Sequence, residues 1–540
     1  MALGGPVSPP AAAVRRPLPV SLFAAILAVV IAVAWLFTYT SKVEAIAGQY
    51  VRVLGPQNLP FKAQTLTLQR AALKVDNVLP IYGTSELYCC AGGYNAASFY
   101  LNAPTGFSVF SVGYPVTEDL FWAETFGALG NDIRGHKVVV SDSPWFMTAG
   151  GITTAAYAHT YEPEIAAVFT FDAPVPLGLR AAVAQRMLDF PTTLKGQPVL
   201  EAALLDLSRK TWYGYGAYLL LDPAGRLIAW SDQLNDATQT ITTLENLDHP
   251  KPSLKNSPVY LVFQHTPWWR TVLQQVKALA PPMLQAAKAS LDASGPKLNP
   301  VVPIHPQQIN WDTLLQKTTA LAESSTPTNP FGVAPSQWTH CTDIEPVSGG
   351  MCKTALQLYN ERRSNHGGTV YPVQTGFVQG EVQCACWDDL NLEFEVLDSV
   401  GAEPLAWVQP IQGFLDDYTP YSAATRRVVY DRYMAIAKAD GITATTFQTH
   451  DDDPMFVNSF GHMSQRGWTY ANRLLDLFWH GQLGLVQANL AKGGSVGMLF
   501  LPALNCPQPQ WCQGVDNVPP LRGELAGLPT GMPSLWGKGA

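Results

Sequence analysis

The feature of this chain that most constrains its fold is an alternation of short apolar runs with helical stretches. "NVLPIYG", "GFSVFSVGY" (106–114) and "HKVVVSDSPWF" (136–146) are β-branched or aromatic runs bounded by turn residues. The last two flank "VTEDLFWAETFGALGNDI", whose apolar residues have helical spacing. This alternation predicts βαβ units and therefore an α/β fold built on a parallel sheet.

The second half of the chain continues the pattern. "PLAWVQPIQGF" (404–414) is a further buried strand that follows the helical "WDDLNLEFEVLDSVGA". Two amphipathic stretches predict helices that end at Gly441 and Gly481, because glycine is favoured just after a helix. Residues 151–325 are rich in Ala and Leu and predict a largely helical insertion or cap.

The N-terminus contains an apolar stretch, Pro17 to Ser41, without a charged residue. A helix of this length crosses about 30 Å of hydrocarbon. A cleaved signal peptide is the alternative, but no clear small-residue cleavage site follows, which favours an uncleaved anchor. Arg15 and Arg16 lie on the short side, so the positive-inside rule predicts a single-pass protein of the cytoplasmic (inner) membrane. Its N-terminus is then inside and its main domain periplasmic or extracellular.

The charge of the chain limits its partners. The net charge is -8, no basic block is present, and only 14% of the residues are charged. We therefore do not expect this protein to bind nucleic acid.

The predicted organisation divides an α/β domain around the insertion. In chain order we expect a cytoplasmic N-terminus (1–16), a transmembrane anchor (17–41), a linker (42–75), the first part of the α/β domain (76–150), the helical insertion (151–325), the second part of the α/β domain (326–485) and a Pro/Gly-rich tail (486–540).

Eight cysteines fit an exported domain, where an even number indicates disulfides. The simplest pairs close short loops, Cys341 with Cys352 and Cys506 with Cys512. Cys384 and Cys386, like the adjacent Cys89 and Cys90, would close strained rings, which favours partners at longer range. Zinc is the alternative, but no C-x-x-C and no neighbouring histidine pair supports it.

Ser85 in "LPIYGTSEL" is the first candidate for chemistry. A strand that ends at Gly83 and turns sharply exposes this hydroxyl at the carboxyl edge of the sheet, where N–H groups can stabilise an oxyanion. The alternative is that Thr84 or Ser85 caps a helix. A serine nucleophile needs a base, and His462 lies in a turn-rich segment ahead of a C-terminal helix. A capping or surface histidine is the alternative there.

Six blocks in order resemble the DltD family of the SGNH hydrolase superfamily, whose members act in the D-alanylation of teichoic acids. They are "PIYGTSEL", "FSVGYPVTEDL", "GHKVVVSDSPWF", "TPTNPFG" (326–332), "WVQPIQGFLDDYTP" and "MFVNSFGHMSQRGW".

The resemblance implies an SGNH-like three-layer α/β sandwich and assigns roles to site residues. Ser85 would be the nucleophile and His462 the general base. The amide of Gly113 would form the oxyanion hole together with that of Ser85. We also expect six residues to contact substrate: Glu118, Trp145, Asn329, Gln412, Asp417 and Tyr418. Core packing for Trp145 and a simple turn for Asp417 and Tyr418 are the alternatives. We predict no metal and no cofactor.

Three departures from the family pattern concern this site. Ser459 occupies the position of the aspartate that would orient the histidine, and Asn458, a backbone carbonyl or an aspartate of 451–453 could replace it. Glu118 stands where the family has glutamine, and a carboxylate there opposes an oxyanion unless it points away or is protonated. Gln412 stands in place of asparagine.

The predicted function is that of a serine-dependent acyltransferase of the cell envelope that handles a D-alanyl group. By resemblance it works with a membrane-bound O-acyltransferase, an acyl carrier or donor, and an envelope polysaccharide as acceptor, at the membrane. A polysaccharide esterase that uses the same residues is one alternative. The other is a catalytically inactive scaffold of the acylation machinery, which Ser459 favours.

Overall fold

The computed structural model describes a sheet of five parallel strands with helices on both faces. The described residues are 27, 39–88, 91–101, 103–144, 147, 153–248, 309–325, 384–409, 423–451, 453, 455–459 and 462–483. The strands are β1 (Val78–Gly83), β2 (Ser108–Gly113), β3 (Lys137–Asp142), β4 (Glu403–Val408) and β5 (Thr443–Thr446), in the order β2-β1-β3-β4-β5.

The residues of each strand alternate between two hydrophobic cores, which makes the architecture three-layered. In β1, Leu79 and Ile81 belong to one core and Tyr82 to the other. In β3, Val139 faces the first core, whereas Val138 and Val140 face the second. This period of two follows from the pleat of a strand whose faces are both covered. The predicted α/β class with a parallel sheet is confirmed, and the layers are consistent with an SGNH-like sandwich.

The helices of the described residues follow in chain order. They are α1 (which includes 39–54), α2 (Phe61–Gln64), α3 (Leu66–Lys74), α4 (Ala96–Phe99), α5 (Asp119–Leu129), α6 (Thr154–Thr160), α7 (Pro163–Phe171), α8 (Leu177–Met187), α9 (Pro198–Ser208), α10 (Trp212–Asp248), α11 (Trp311–Ser325), α12 (Cys386–Val400), α13 (Ala423–Ala439) and α14 (Gln465–Trp479).

The two helix ends predicted from glycines are confirmed. Gly441 follows α13 with a φ of 72°, and Gly481 follows α14 with a φ of 67°. Glycine reaches this left-handed region without the clash that a Cβ would cause.

The segment 42–75 is a folded part of the domain rather than the expected linker. Leu66 and Leu68 of α3 are fully buried, and Thr65 caps this helix through a hydrogen bond from the N–H of Leu68. The Lys62 side chain is also fully buried, where its ammonium donates to the carbonyl oxygens of Leu54 and Gly55. The apolar spacing of α3 explains why these residues join the core.

The described residues between β3 and β4 are helical wherever they have regular structure. Within this region α7 ends at Phe171, and α8 begins at Leu177. Pro174 and Pro176 lie in this break, and proline lacks the N–H that a continuous helix would require.

The predicted membrane anchor falls for the most part outside the described residues. Within the part of the chain that the structure describes, none of the helices combines the length and apolar character needed to cross a bilayer.

Cys384 and Cys386 form a disulfide with each other. The expectation of longer-range partners for these two cysteines is therefore wrong, because the turn at the start of α12 brings their Cα atoms to 5.1 Å. The other six cysteines lie outside the described residues.

Candidate functional site

The strand order creates a switch point at β1. The chain leaves β1 for β2 on one side and later returns to β3 on the other side. Loops diverge at such a point and open a crevice at the carboxyl edge of the sheet, where ligands of doubly wound α/β proteins bind. Ser85 comes two residues after the end of β1 and therefore lies at this crevice.

The turn that carries Ser85 is held by the glutamate beside it. Ser85 begins a short 3-10 helix, Ser85–Leu87. The Glu86 carboxylate is 2% exposed and accepts hydrogen bonds from the Thr84 N–H (2.7 Å) and the Thr84 hydroxyl. Burial raises the pKa of Glu86, while its bonds from Thr84 and Ser141 act in the opposite direction. Glu86 thus fixes the turn from below and leaves Ser85 at the surface of the crevice.

Gly83 is required for this arrangement because its neighbours approach it closely. A Cβ at this position would lie 2.4 Å from Oε1 of Glu86 and 3.0 Å from the backbone oxygen of Ser141. The backbone oxygen belongs to β3, which pairs with β1 and cannot move away without breaking the sheet. The glycine at the end of β1 therefore admits both the buried carboxylate and the neighbouring strand.

His462 is presented by a small hairpin ahead of α14. Strands β6 (Val457–Ser459) and β7 (His462–Met463) pair antiparallel, with His462 opposite Ser459. Ser464 then caps α14, since its hydroxyl accepts from the N–H groups of Arg466 (3.0 Å) and Gly467 (3.2 Å). The cap explains why the chain turns into α14 at Ser464, directly after the strand that carries His462.

Ser85 and His462 meet in the crevice. The distance from Oγ of Ser85 to Nε2 of His462 is 3.1 Å, within hydrogen-bonding range. Burial lowers the pKa of His462 from its ordinary value of 6.5. The imidazole is consequently neutral at pH 7, which is the form that can take a proton from the serine hydroxyl.

Gly113 lies beside Ser85, but its N–H is already engaged. The end of β2 pairs with the end of β1 so that Gly113 stands opposite Gly83. Its N–H donates to the hydroxyl of Tyr88 at 3.1 Å, and that hydroxyl donates to the carbonyl of Ser111 at 2.8 Å. Gly113 thus ends the strand next to β1, and its N–H is engaged by a tyrosine that the sequence did not single out.

The aspartates ahead of His462 support the loop. The Asp453 carboxylate is 3% exposed and accepts from Nε of Arg466 (2.8 Å) and from the N–H of Met455 (3.0 Å). The Arg466 guanidinium and His450 hold the pKa of Asp453 well below its usual range, against the effect of burial. Asp451 accepts from Arg426 and from the Tyr430 hydroxyl.

Glu118 is buried just before α5 and faces other acidic groups. Burial first, and then the nearby carboxylate of Asp389, raise the pKa of Glu118 to about 9, although Arg186 acts in the opposite direction. The group is protonated at neutral pH. The repulsion that a carboxylate would exert on an oxyanion is therefore absent.

Five of the residues expected at the site lie outside the described residues: Trp145, Asn329, Gln412, Asp417 and Tyr418. The sequence analysis missed the roles of Glu86 and Tyr88. An acidic residue directly after a candidate nucleophile was the signal for Glu86. No local signal marks Tyr88, since its contact with Gly113 depends on the pairing of β1 with β2.

The strand order and the position of the Ser85–His462 pair define a doubly wound α/β protein with a candidate active site at its switch point. Comparison with known proteins gives the family. The model of the family described as "DltD protein" matches residues 58–348 and 382–480, more than half of the chain, and the chain belongs to this family. It is similar to Protein DltD of Bacillus subtilis (strain 168), with 21% identity over 420 residues, covering 78% of this chain and 87% of the relative.

The family takes part in the D-alanylation of envelope teichoic acids. Its model covers both described segments that form the crevice, the one with Ser85 and the one with His462. The support for a role in D-alanyl transfer therefore comes from membership of this family.

Proposed function

We propose that this protein is a serine-dependent acyltransferase that moves a D-alanyl group onto a hydroxyl of an envelope polysaccharide. Ser85 is the nucleophile, and His462 is the general base and acid. The acyl group comes from a carrier or donor that a membrane-bound O-acyltransferase presents. The apolar segment 17–41 anchors the protein in the inner membrane, with the main domain outside the cytoplasm.

The observation that carries the proposal is the 3.1 Å contact between Ser85 Oγ and His462 Nε2. The two residues are 377 positions apart in the chain, and separate parts of the fold bring them together. A neutral imidazole at hydrogen-bonding distance from a partly buried serine is the arrangement that activates a hydroxyl.

The first half-reaction forms an acyl-enzyme. Nε2 of His462 takes the hydroxyl proton of Ser85, and Oγ attacks the carbonyl carbon of the acyl donor. The donor's oxygen or sulfur leaves with the proton now held by His462. The Ser85 amide stabilises the oxyanion, and the Gly113 amide joins it when the Tyr88 hydroxyl withdraws.

The second half-reaction returns Ser85 to its starting state. His462 takes the proton of an acceptor hydroxyl, whose oxygen attacks the acyl-serine carbonyl. The ester bond to Oγ breaks and Ser85 regains the proton from His462. With a sugar or polyol hydroxyl the product is an acylated polymer, whereas water gives the esterase reaction.

The experiment is labelling of the purified protein with a fluorophosphonate probe. We expect the wild type to be labelled, and labelling to vanish in Ser85→Ala and His462→Ala. Ser399→Ala is the matched serine control, since Ser399 is half-buried at the end of α12. His480→Ala is the histidine control, because His480 contacts Thr105 ahead of β2, at the opposite edge of the sheet.

An inactive scaffold is the second candidate function. It is favoured by the hydrogen bond that covers the Gly113 N–H and by Ser459 in place of the family aspartate. Under this function the folded wild type is not labelled, and Ser85→Ala leaves polymer acylation in cells unchanged.

An assay with and without an acceptor distinguishes acyl transfer from hydrolysis. A chromogenic acyl ester is supplied with and without a polyol-phosphate polymer. A transferase releases the chromophore faster with the polymer and yields acylated polymer, whereas an esterase yields free acid at an unchanged rate.

A further inference from the structure

Three buried carboxylates from distant parts of the chain converge behind the end of β3. Asp142 is the last residue of β3, Asp119 is the first residue of α5, and Glu393 lies in the middle of α12. They are 3%, 7% and 0% exposed, respectively. One oxygen from each lies within 4.8 Å of one oxygen from each of the others. Like charges at this separation in a buried site require compensation.

The hydrogen bonds of the described residues leave this group unsatisfied. Both carboxylate oxygens of Glu393 are buried and have no hydrogen-bond partner within the described part of the chain. Buried polar atoms are satisfied in more than about 90% of cases, so two orphan oxygens on one side chain indicate a missing partner. The Asp142 carboxylate accepts a hydrogen bond from the hydroxyl of Tyr433 at 2.5 Å.

Arg186, a basic side chain that contacts α12, is paired with other carboxylates. Arg186 forms a two-pronged pair with Asp389, one turn before Glu393, at 2.7 and 2.8 Å, and also binds Asp189. Within the described residues, no salt bridge joins Asp119, Asp142 or Glu393 to a basic group. Within the part of the chain that the structure describes, no ion pair therefore offsets the charge of the three carboxylates.

We propose that Asp119, Asp142 and Glu393 bind a divalent cation with oxygen ligands, and that Ca²⁺ is the ion that fits the site. The donor set contains only carboxylate oxygens, and hard cations such as Ca²⁺ and Mg²⁺ prefer these ligands. The orphan oxygens of Glu393 supply a bidentate ligand, which is a common way for a glutamate to bind Ca²⁺.

The arrangement of the oxygens is compatible with a single cation. One oxygen from each side chain lies within 4.8 Å of the other two, and oxygens that share a Ca²⁺ ion are no more than about 5.2 Å apart. Ca²⁺ tolerates irregular ligand geometry, whereas Mg²⁺ demands a near-ideal octahedron and usually keeps several of its waters, which a buried set of carboxylates does not favour.

Such a cation would connect three elements that frame the crevice. It would tie the end of β3 to the beginning of α5 and to the middle of α12. Ser141, next to Asp142, contacts the Glu86 side chain beneath Ser85. The cation is thus placed to stabilise the floor of the site without contact to the reacting atoms.

The test measures calcium binding by the full-length protein in detergent, after treatment with EGTA. We expect about one Ca²⁺ per chain by isothermal titration calorimetry, a higher melting temperature in CaCl2 than in EGTA, and weaker binding of Mg²⁺. Glu393→Gln should weaken Ca²⁺ binding by about tenfold or more, as replacement of even an indirect supporting residue of a metal site commonly does.

Glu395→Gln is the matched control, because Glu395 is exposed on the same helix and undergoes the same chemical change. It should bind Ca²⁺ like the wild type. Asp119→Asn provides a second variant should Glu393→Gln fail to fold. Absence of Ca²⁺ binding in the wild type, or equal binding in Glu393→Gln and Asp119→Asn, overturns the proposal. In that event protons, rather than a cation, neutralise the three carboxylates.

Discussion

The hydroxyl of Tyr88 accepts a hydrogen bond from the N–H of Gly113 at 3.1 Å, directly beside the turn that carries Ser85. The same hydroxyl donates a hydrogen bond to the carbonyl oxygen of Ser111 at 2.8 Å. Tyr88 therefore covers one of the two amides that would stabilise an oxyanion. Withdrawal of this side chain is a simple way for substrate to complete the site.

Removal of the Tyr88 hydroxyl should expose the Gly113 amide. We expect Tyr88→Phe to raise the rate of fluorophosphonate labelling, by no more than the factor of about 10²–10³ that one oxyanion donor contributes. Tyr161→Phe removes a hydroxyl that contacts Gln197 in the helical region and should leave the rate unchanged. A slower or unchanged rate in Tyr88→Phe would show that Gly113 is not an oxyanion donor.

The reactivity of Ser85 should follow the protonation of His462. A general base acts when it is neutral, so labelling should be constant at pH 7 and above and decline as the pH falls through the pKa of His462. Because burial lowers this pKa from 6.5, the midpoint should lie below pH 6.5. A midpoint above pH 7 would instead require a carboxylate beside the imidazole. Labelling rates measured between pH 4.5 and 8.5 decide the matter.

Ser459 is the position at which an aspartate should strengthen the site. The residue lies opposite His462 in the β6–β7 hairpin. Loss of the corresponding aspartate costs a serine protease about 10⁴ in rate, so Ser459→Asp should raise labelling tenfold or more. It should also move the acid midpoint upward, since a carboxylate stabilises the imidazolium. Ser208→Asp introduces the same charge at the end of α9, in the helical region, and should produce neither effect.

Gly83 should not tolerate a side chain. Gly83→Ala places a Cβ 2.4 Å from Glu86 Oε1 and 3.0 Å from the Ser141 backbone oxygen, so the protein should lose about 1–3 kcal/mol of stability and its labelling. Gly178→Ala is the control, since nothing lies within 4 Å of a Cβ at that helical position. The control should be neutral or slightly stabilising. Urea unfolding of both variants measures the difference.

Glu124 should make the protein more stable in mild acid than in mild base. Burial raises the pKa of Glu124 to about 8 from 4.5, although a hydrogen bond from Tyr157 acts against the shift. The folded state thus holds this proton more tightly than the unfolded state, and the contribution to stability is lost as the pH rises from about 4.5 to 8. Glu124→Gln should reduce the fall in melting temperature between pH 5 and 8, and Glu201→Gln, at an exposed position, should not.

The strands and most helices follow from local sequence patterns. A parallel strand is buried on both faces, so it appears in the sequence as a short run of apolar residues. β1, β2, β3 and β4 were predicted in this way, as were the ends of α13 and α14 at Gly441 and Gly481. β5 was not predicted, since "TATT" is short and polar at an edge of the sheet. The break between α7 and α8 is marked in the sequence by two prolines, Pro174 and Pro176.

The sequence by itself determined the class of fold and, through its family blocks, the two residues that meet in the crevice. Only the tertiary structure decided what surrounds them. The hydrogen bond between the Gly113 N–H and the Tyr88 hydroxyl depends on the register of β1 and β2. The protonation state of Glu118 depends on how deeply its side chain is buried. The carboxylates of Asp119, Asp142 and Glu393 are up to 274 positions apart in the chain. A local pattern carries no information on such contacts, because strand pairing and helix packing set the distances between residues far apart in sequence.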